Sequence, residues 1–377
     1  MNENIKITVT KTELAPQKEY EKYLAKIWKA NWVTNNGQFL LELENKLQKM
    51  YGTKRLLVVS NGTLAIQLAL KTLPVRTGEI ITTPFTFQAT TNTIIWEGYT
   101  PVFADIDQDT FNIDPADVER KITSKTIAIL AVHVYGNACD NERLERLARK
   151  HKIALIYDAA HAFDVVYKRK QLATCGDIST LSFHATKTFH TIEGGAILCK
   201  DQKTFEQLVL LRNFGIRSEE EVVSCGINAK MNEFQAAMGL VNLRWVKKRY
   251  ILRKKVHDLY MRRLIKFKSI KLQKMIVDKE NFTYLPVLFP SKKVRDHVYD
   301  GMKKSGIGTR KYFYPLTTTA EFLTKTNSKS LLSSTPVAKD VSERVLCLPM
   351  YASLPLRDVS RIINHLEKLL NFSSKTV

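Results

Sequence analysis

The sequence predicts an α/β protein: a mostly parallel seven-stranded sheet with helices on both faces, followed by a smaller C-terminal α+β domain. Two observations carry this. Short apolar runs alternate with amphipathic segments, the pattern of strands joined by crossover helices. At 377 residues the chain also exceeds a single core, since cores stop growing near ~250 to 300 residues. The division is expected at 1–245 and 246–377.

Strands are expected at Leu56 to Val59, Glu79 to Thr82, Pro101 to Ala104, Thr126 to Val132, Ile153 to Tyr157, Ile178 to Phe183 and Ala196 to Cys199. Two helix starts are marked by their caps. Asp114-Pro115 places an N-cap before a first-turn proline, and Asp140 precedes the charged stretch Glu142 to His151. The sheet region ends near Phe214, a looser segment follows to Ile227, and a long basic helix from about Asn232 leads into the second domain. There, Phe282 to Phe289 reads as strand, and Lys292 to Ser305 and Leu356 to Leu370 as helix.

Composition, 44% hydrophobic and 25% charged, fits a large soluble enzyme. Apolar stretches fall far short of the roughly 20 residues a spanning helix requires. The N-terminal Met-Asn-Glu-Asn-Ile-Lys lacks the apolar core of a signal peptide. The five cysteines, Cys139, Cys175, Cys199, Cys225 and Cys347, are an odd number without C-x-x-C spacing, which argues against a disulfide framework and a zinc site. A reduced, cytosolic setting without metal or membrane partner is expected.

The most informative pairing is Asp158, closing one apolar run in Tyr157-Asp-Ala-Ala-His161, with Lys187, just after the next in Ser182-Phe-His-Ala-Thr-Lys187. A lysine that bonds a cofactor aldehyde, and a carboxylate that keeps a pyridine nitrogen protonated, are the two groups pyridoxal phosphate chemistry needs most. Both sit at strand ends, where an α/β sheet presents its site. Ser60-Asn-Gly-Thr63 closes one strand and opens a helical run, so it reads as a helix cap and equally as a cradle for the cofactor's phosphate. Phe87 suits stacking on the pyridine ring or core packing. Asp158 also suits a helix N-cap, and His161 a structural role.

Ser60-Asn-Gly-Thr63, Tyr157-Asp-Ala-Ala-His161, Ser182-Phe-His-Ala-Thr-Lys187, Glu193-Gly-Gly-Ala196 and Lys230-Met-Asn-Glu-Phe-Gln-Ala-Ala237 resemble the motifs of the nucleotide-sugar aminotransferases, the DegT family within the fold type I pyridoxal phosphate enzymes. The resemblance runs over nearly the whole chain. It implies that Lys187 carries the cofactor, Asp158 pairs with the ring nitrogen, and His161 contacts the ring's phenolic oxygen. It further implies that Gly62, Thr63 and Ser182 bind the phosphate, with Asn232 reaching in from a partner subunit, which makes a homodimer with shared sites the working unit. Glu193-Gly-Gly195 is assigned only a tight turn.

Within the family, Trp32-Val-Thr-Asn-Asn-Gly37, His133-Val-Tyr-Gly-Asn137 and Gly226-Ile-Asn-Ala-Lys-Met-Asn-Glu233 are most similar to the viosamine-forming enzymes. These aminate C4 of a nucleotide-linked 4-keto-6-deoxyglucose. The resemblance therefore implies a dTDP-sugar substrate, L-glutamate as donor, and a setting in surface polysaccharide (O-antigen) synthesis. Relatives with histidine in place of the cofactor lysine are dehydratases; Lys187 favours transamination. Arg217, Lys230 and Arg249 are candidate partners of the nucleotide diphosphate, and Arg310, Tyr312 and Tyr314 of the sugar. A 3-keto sugar aminotransferase and a regulator that binds nucleic acid are the rival readings.

The formal charge is +21, and Arg244 to Lys274 holds thirteen Lys or Arg against one acid, Asp258. Such a run serves as a solvated face, as a nucleic-acid groove, or as an attractor of an anionic substrate. No recognisable nucleic-acid motif accompanies it, so no nucleic-acid partner is expected.

Overall fold

A computed structural model describes residues 5–321, 323 and 334–373. Residues 1–4 of the N-terminal reading and residues 374–377 of the second domain lie outside the described residues.

All seven expected strands enter one sheet: β1 (Leu56–Val59), β2 (Glu79–Thr82), β3 (Thr100–Phe103), β4 (Thr126–Val132), β5 (Ala154–Asp158), β6 (Ile178–Ser182) and β7 (Gly195–Cys199), in the order β1-β7-β6-β5-β4-β2-β3. Pairing is parallel from β3 through β6, and β7 runs antiparallel to both β6 and β1. β3 begins one residue earlier than expected. Its Pro101 is tolerated because β3 is an edge strand, where a missing N–H breaks no central ladder. β5 extends to Asp158, so the carboxylate lies on the last strand residue.

Successive strand residues alternate between two apolar layers. Leu57, Val59, Leu130 and Ile156 face the helix Gly62–Lys71. On the opposite face Leu56 and Val58 meet Leu40, Leu43 and Leu47 of the helix Gln38–Tyr51, and Ile129 and Leu155 meet Leu144 of the helix Asn141–His151. The caps form as expected: Asp114 accepts from the Ala116 amide at 2.9 Å and Asp140 from the Arg143 amide at 3.1 Å. The segment after Phe214 contains a short hairpin, Ile216–Ser218 with Glu221–Val222.

The basic helix, Glu233–Leu264, starts at a capping box in which Asn232 accepts from the Gln235 amide. It is unbroken, so the proposed division after residue 245 falls inside it. Its side chains instead change core between Tyr250, packed with the sheet layer, and Val256, packed with the C-terminal layer. That layer holds a three-stranded antiparallel sheet, Lys271–Leu272, Leu285–Leu288 and Val345–Leu348, under the helices Lys292–Lys304 and Leu356–Ser373. Ile7, from the other end of the chain, is part of the same core. Among the described residues no helix is long and apolar enough to cross a membrane.

The free edge of β1 is closed by a buried ion pair. Glu44 Oε1 accepts from the Val58 amide at 2.9 Å and from Arg212 at 2.5 Å, and Arg212 donates to the Val58 carbonyl at 2.9 Å. Removing one partner strands the other charge without solvent. Glu44→Ala is expected to lower unfolding free energy by about 3–5 kcal/mol, measured by denaturant titration, whereas substitution of the half-exposed Glu42, paired at 3.6 Å with Lys46, should change it by less than about 1 kcal/mol.

Candidate active site

β1, β5 and β6 run in one direction, so their C-terminal ends open onto one crevice. There, Gly62 and Thr63 after β1, Asp158 and His161 at and after β5, and Ser182 and Lys187 at and after β6 line a single cavity of about 330 Å³. Phe87, Arg310 and Tyr312 complete its wall with Tyr284 and Phe313.

Asp158 is buried, and each of its oxygens has a donor: Oδ2 accepts from Thr90 Oγ1 at 2.7 Å, Oδ1 from the Ala160 amide at 3.0 Å. Burial pushes the carboxyl's pKa up, opposed by those two bonds and by Lys187. Lys187 follows β6 in a turn held by its own amide to the His184 carbonyl, 2.9 Å, and by Phe183 N–H to the Gly194 carbonyl, 2.7 Å. The half-buried amine lies 6.0 Å from the centroid of the Tyr284 ring. Burial brings its pKa down to about 8, with Asp158 pulling the other way.

His161 Nδ1 accepts from the Tyr135 amide at 3.2 Å, which places the ring proton on Nε2. Burial, then the Lys187 charge, holds the imidazole well below its ordinary pKa, so it is a neutral donor. Tyr135 has φ 56°, and a Cβ on Gly136 would stand 2.9 Å from the His161 carbonyl. The Val-Tyr-Gly-Asn turn is thus built for close contact with His161.

At the other end, Asn61 caps the helix Gly62–Lys71 by accepting from the Leu64 amide at 2.8 Å. The amides of Gly62 and Thr63, at its first two positions, have no intrahelical acceptor and lie at the positive end of the helix dipole beside the cavity, a setting that suits an anion. A Cβ on Gly62 would lie 2.9 Å from Ser182 Cβ, so a side chain would fill this cradle. Pyridoxal 5′-phosphate fits these residues: the helix start and Ser182 suit its phosphate, buried Asp158 its ring nitrogen, Lys187 its aldehyde and Phe87 its ring face.

The other candidates lie elsewhere in this chain. Asn232 caps the long helix. Lys230 donates to Asn213 Oδ1 at 2.6 Å, and Arg217 is an exposed partner of Glu221 at 2.6 Å. Arg249 is turned into the interior, where it donates to Asn242 Oδ1 at 3.0 Å. Tyr314 lies against Arg295, 4.8 Å from guanidinium to ring centroid. Sequence reasoning missed Thr90, Tyr284 and Phe313, and read Glu193 only as part of a turn; it lines the cavity, and its carboxylate lies 3.5 Å from His184 Nε2. Thr86 and Thr90 at i,i+4 spacing carried a usable signal; Tyr284 and Phe313 arrive from distant sequence and carried none.

The sequence profile of the DegT/DnrJ/EryC1/StrS aminotransferase family matches residues 15–367. A dTDP-4-amino-4,6-dideoxy-D-glucose transaminase of Escherichia coli is 41% identical over 92% of this chain and 94% of its own. Among solved structures, DesI, crystallised in the presence of its TDP-sugar product, superposes with a TM-score of 0.88 at 29% identity, covering 96% of this chain and 92% of that one. NtdA from Bacillus subtilis, solved with bound cofactor PMP, superposes with a TM-score of 0.87 at 25% identity, covering 94% and 82%.

Only a neutral amine attacks an aldehyde. With a pKa of about 8, about a tenth of Lys187 is neutral at pH 7, a fraction that rises with pH and saturates above the pKa. The rate of loading apo-protein with pyridoxal phosphate, followed by absorbance, should climb through pH 7 to 9 and then level. A rate still rising steeply beyond pH 10 would assign the attachment to an ordinary, exposed lysine.

Proposed function

The chain belongs to the DegT/DnrJ/EryC1/StrS aminotransferase family, and from that premise we propose that it moves an amino group from L-glutamate to C4 of a dTDP-linked 4-keto-6-deoxy-D-glucose, giving the 4-amino-4,6-dideoxy sugar. It is a pyridoxal phosphate-dependent enzyme. The observation that carries the chemistry is the convergence of Lys187, Asp158 and the open helix start at Gly62 in one cavity. The identity to a dTDP-4-amino-4,6-dideoxy-D-glucose transaminase over almost the whole chain supports the sugar.

When bound, pyridoxal phosphate supplies an electron sink for the carbon that loses its proton. The rest belongs to the chain. The Gly62 and Thr63 amides and Ser182 anchor the phosphate and so fix where the reacting carbon lies. Asp158, kept from water, holds a proton on the ring nitrogen by facing it with a fixed negative charge. His161 offers Nε2–H to the phenolic oxygen. Lys187, once its amine is released, takes the proton from the carbon of the donor and returns one to the sugar, a task suited to a base whose pKa lies near the operating pH. Arg310, stacked at 4.7 Å on Tyr312, faces the open side and serves the anionic part of a substrate.

Asn232 is proposed to complete the site of a second copy. Lys230, two residues before it in the chain, and the exposed Arg217 are proposed to serve the partner's nucleotide diphosphate. Phe214, Ile216, Val222 and Ile227 around them are exposed, an apolar patch suited to burial between copies. Arg249, internal to its own protomer, is not part of that proposal. Synthesis of a bacterial surface polysaccharide such as O-antigen is the proposed setting.

Incubated with L-glutamate and a panel of nucleotide 4-keto and 3-keto sugars, the enzyme should yield the 4-amino-4,6-dideoxy-D-glucose product by NMR, Lys187→Ala none, and Asp158→Ala a turnover lower by ~10²-fold or more. Amination only at C3 would replace the C4 assignment. Mixing inactive Lys187→Ala with inactive Asn232→Ala subunits should restore one intact site per heterodimer, about half of normal activity. Heterodimers that form and remain inactive would show that Asn232 does not serve the neighbouring site.

A further inference from the structure

Thr90 takes no part in the chemistry above, yet its hydroxyl is the only side-chain donor to the buried Asp158 carboxylate among the described residues. It sits in the first turn of the helix Gln88–Trp96 and is fully buried. Its Oγ1 lies 2.7 Å from Asp158 Oδ2 and 2.8 Å from Thr86 Oγ1. Pairing with a protonated ring nitrogen requires Asp158 to be ionised; in that state it has no proton to give, so the single hydroxyl proton of Thr90 goes to Asp158. Its lone pair then receives the Thr86 proton, and the direction of both bonds is determined. Thr86 itself lines the cavity.

We propose that Thr90 is a positioning residue for the aminotransferase reaction, with Thr86 acting through it: the two hydroxyls form a one-way donor chain that keeps Asp158 ionised and aimed into the cavity. This rests on the reading of Asp158 as the partner of the cofactor's ring nitrogen. The need for such a chain follows from burial, which favours the neutral acid, and a neutral acid no longer holds a proton on that nitrogen. The other donor, the Ala160 amide, belongs to the same turn as Asp158 and moves with it. Thr90 comes from a different element, so it sets the carboxylate's rotation relative to the sheet. A donor whose own oxygen accepts a bond is polarised and binds the charge more strongly.

The test uses holoenzyme loaded with pyridoxal phosphate labelled with ¹⁵N in the ring. Thr90→Val removes the donor at nearly constant volume, and Thr90→Ser retains it. In the valine variant the ring-nitrogen resonance should move toward its unprotonated position, kcat should fall about 10- to 100-fold, the worth of a hydrogen bond to a charged group, and KM for the nucleotide sugar should stay within about 2-fold because the bond acts on the transition state. Serine should restore both the resonance and kcat. Thr86→Val, which leaves the Thr90 bond intact, should shift both in the same direction by less, and it carries the test if Thr90→Val does not fold. A valine variant with wild-type resonance and turnover, or a serine variant as impaired as valine, would overturn the chain and leave Thr90 as packing. Wild-type enzyme whose ring nitrogen is unprotonated would instead overturn the reading of Asp158 on which it rests.

Discussion

One amine and one carboxylate share a cavity that favours the charge of neither. Burial drives Lys187 toward the neutral amine and Asp158 toward the neutral acid, and their mutual attraction opposes both shifts. An exposed lysine at its ordinary pKa is almost wholly protonated at neutral pH and neither attacks a carbonyl nor abstracts a proton. An exposed carboxylate is screened by water and exerts little pull on a nearby cation. The walls that exclude water, Tyr284, Phe313 and Val132 among them, therefore matter to the proposed chemistry as much as the two charged groups do.

Keeping that cavity in shape requires contributions from far apart in the chain. His161 is oriented by the Tyr135 amide, and its backbone carbonyl accepts from Asn281 Nδ2 at 2.8 Å. Asn281 lies just ahead of the strand Leu285–Leu288, in the part of the chain that builds the C-terminal layer, and its amide also reaches the Phe163 carbonyl at 3.0 Å. The backbone of Arg310 is held by its N–H, which donates to the Cys347 carbonyl at 3.1 Å. The sheet positions the residues at the floor of the cavity, whereas the C-terminal layer positions the side chains that close over them.

This division explains what was legible in the sequence. Strand positions were readable because buried parallel strands are short, continuous apolar runs, and the residues at their C-terminal ends share an edge whenever the strands are parallel. Asp158, Lys187 and the Ser60-Asn-Gly-Thr63 turn followed from those positions, whereas Ser182 was named only through the family resemblance. Tyr284 and Phe313 followed from neither, because local pattern carries no information about which distant aromatic closes a crevice. The helices Gln17–Ala30 and Gln38–Tyr51 were also unassigned, since they precede the first strand and the βαβ alternation that marks the rest. Arg249, a candidate for the nucleotide diphosphate, is buried on Asn242; within a run of cations only packing shows which ones turn inward.

That last point bears on the basic stretch as a whole. Arg249 and Arg253 are buried, and Arg253 donates to the carbonyls of Phe282 at 3.1 Å and Met350 at 3.3 Å, tying the long helix to the C-terminal layer. Lys254 is committed to Asp258 at 2.7 Å and Arg244 to Glu19 at 3.4 Å. The thirteen cations are therefore not one continuous field. Some are internal ties whose loss strands buried carbonyls, some are surface ion pairs of small individual worth, and the exposed Lys247, Lys248 and Lys255 face solvent on the outer side of a helix whose inner side spans two cores. A nucleic-acid groove needs cations in register along one accessible surface, and a helix that spends its arginines on joining two layers is built first for connection.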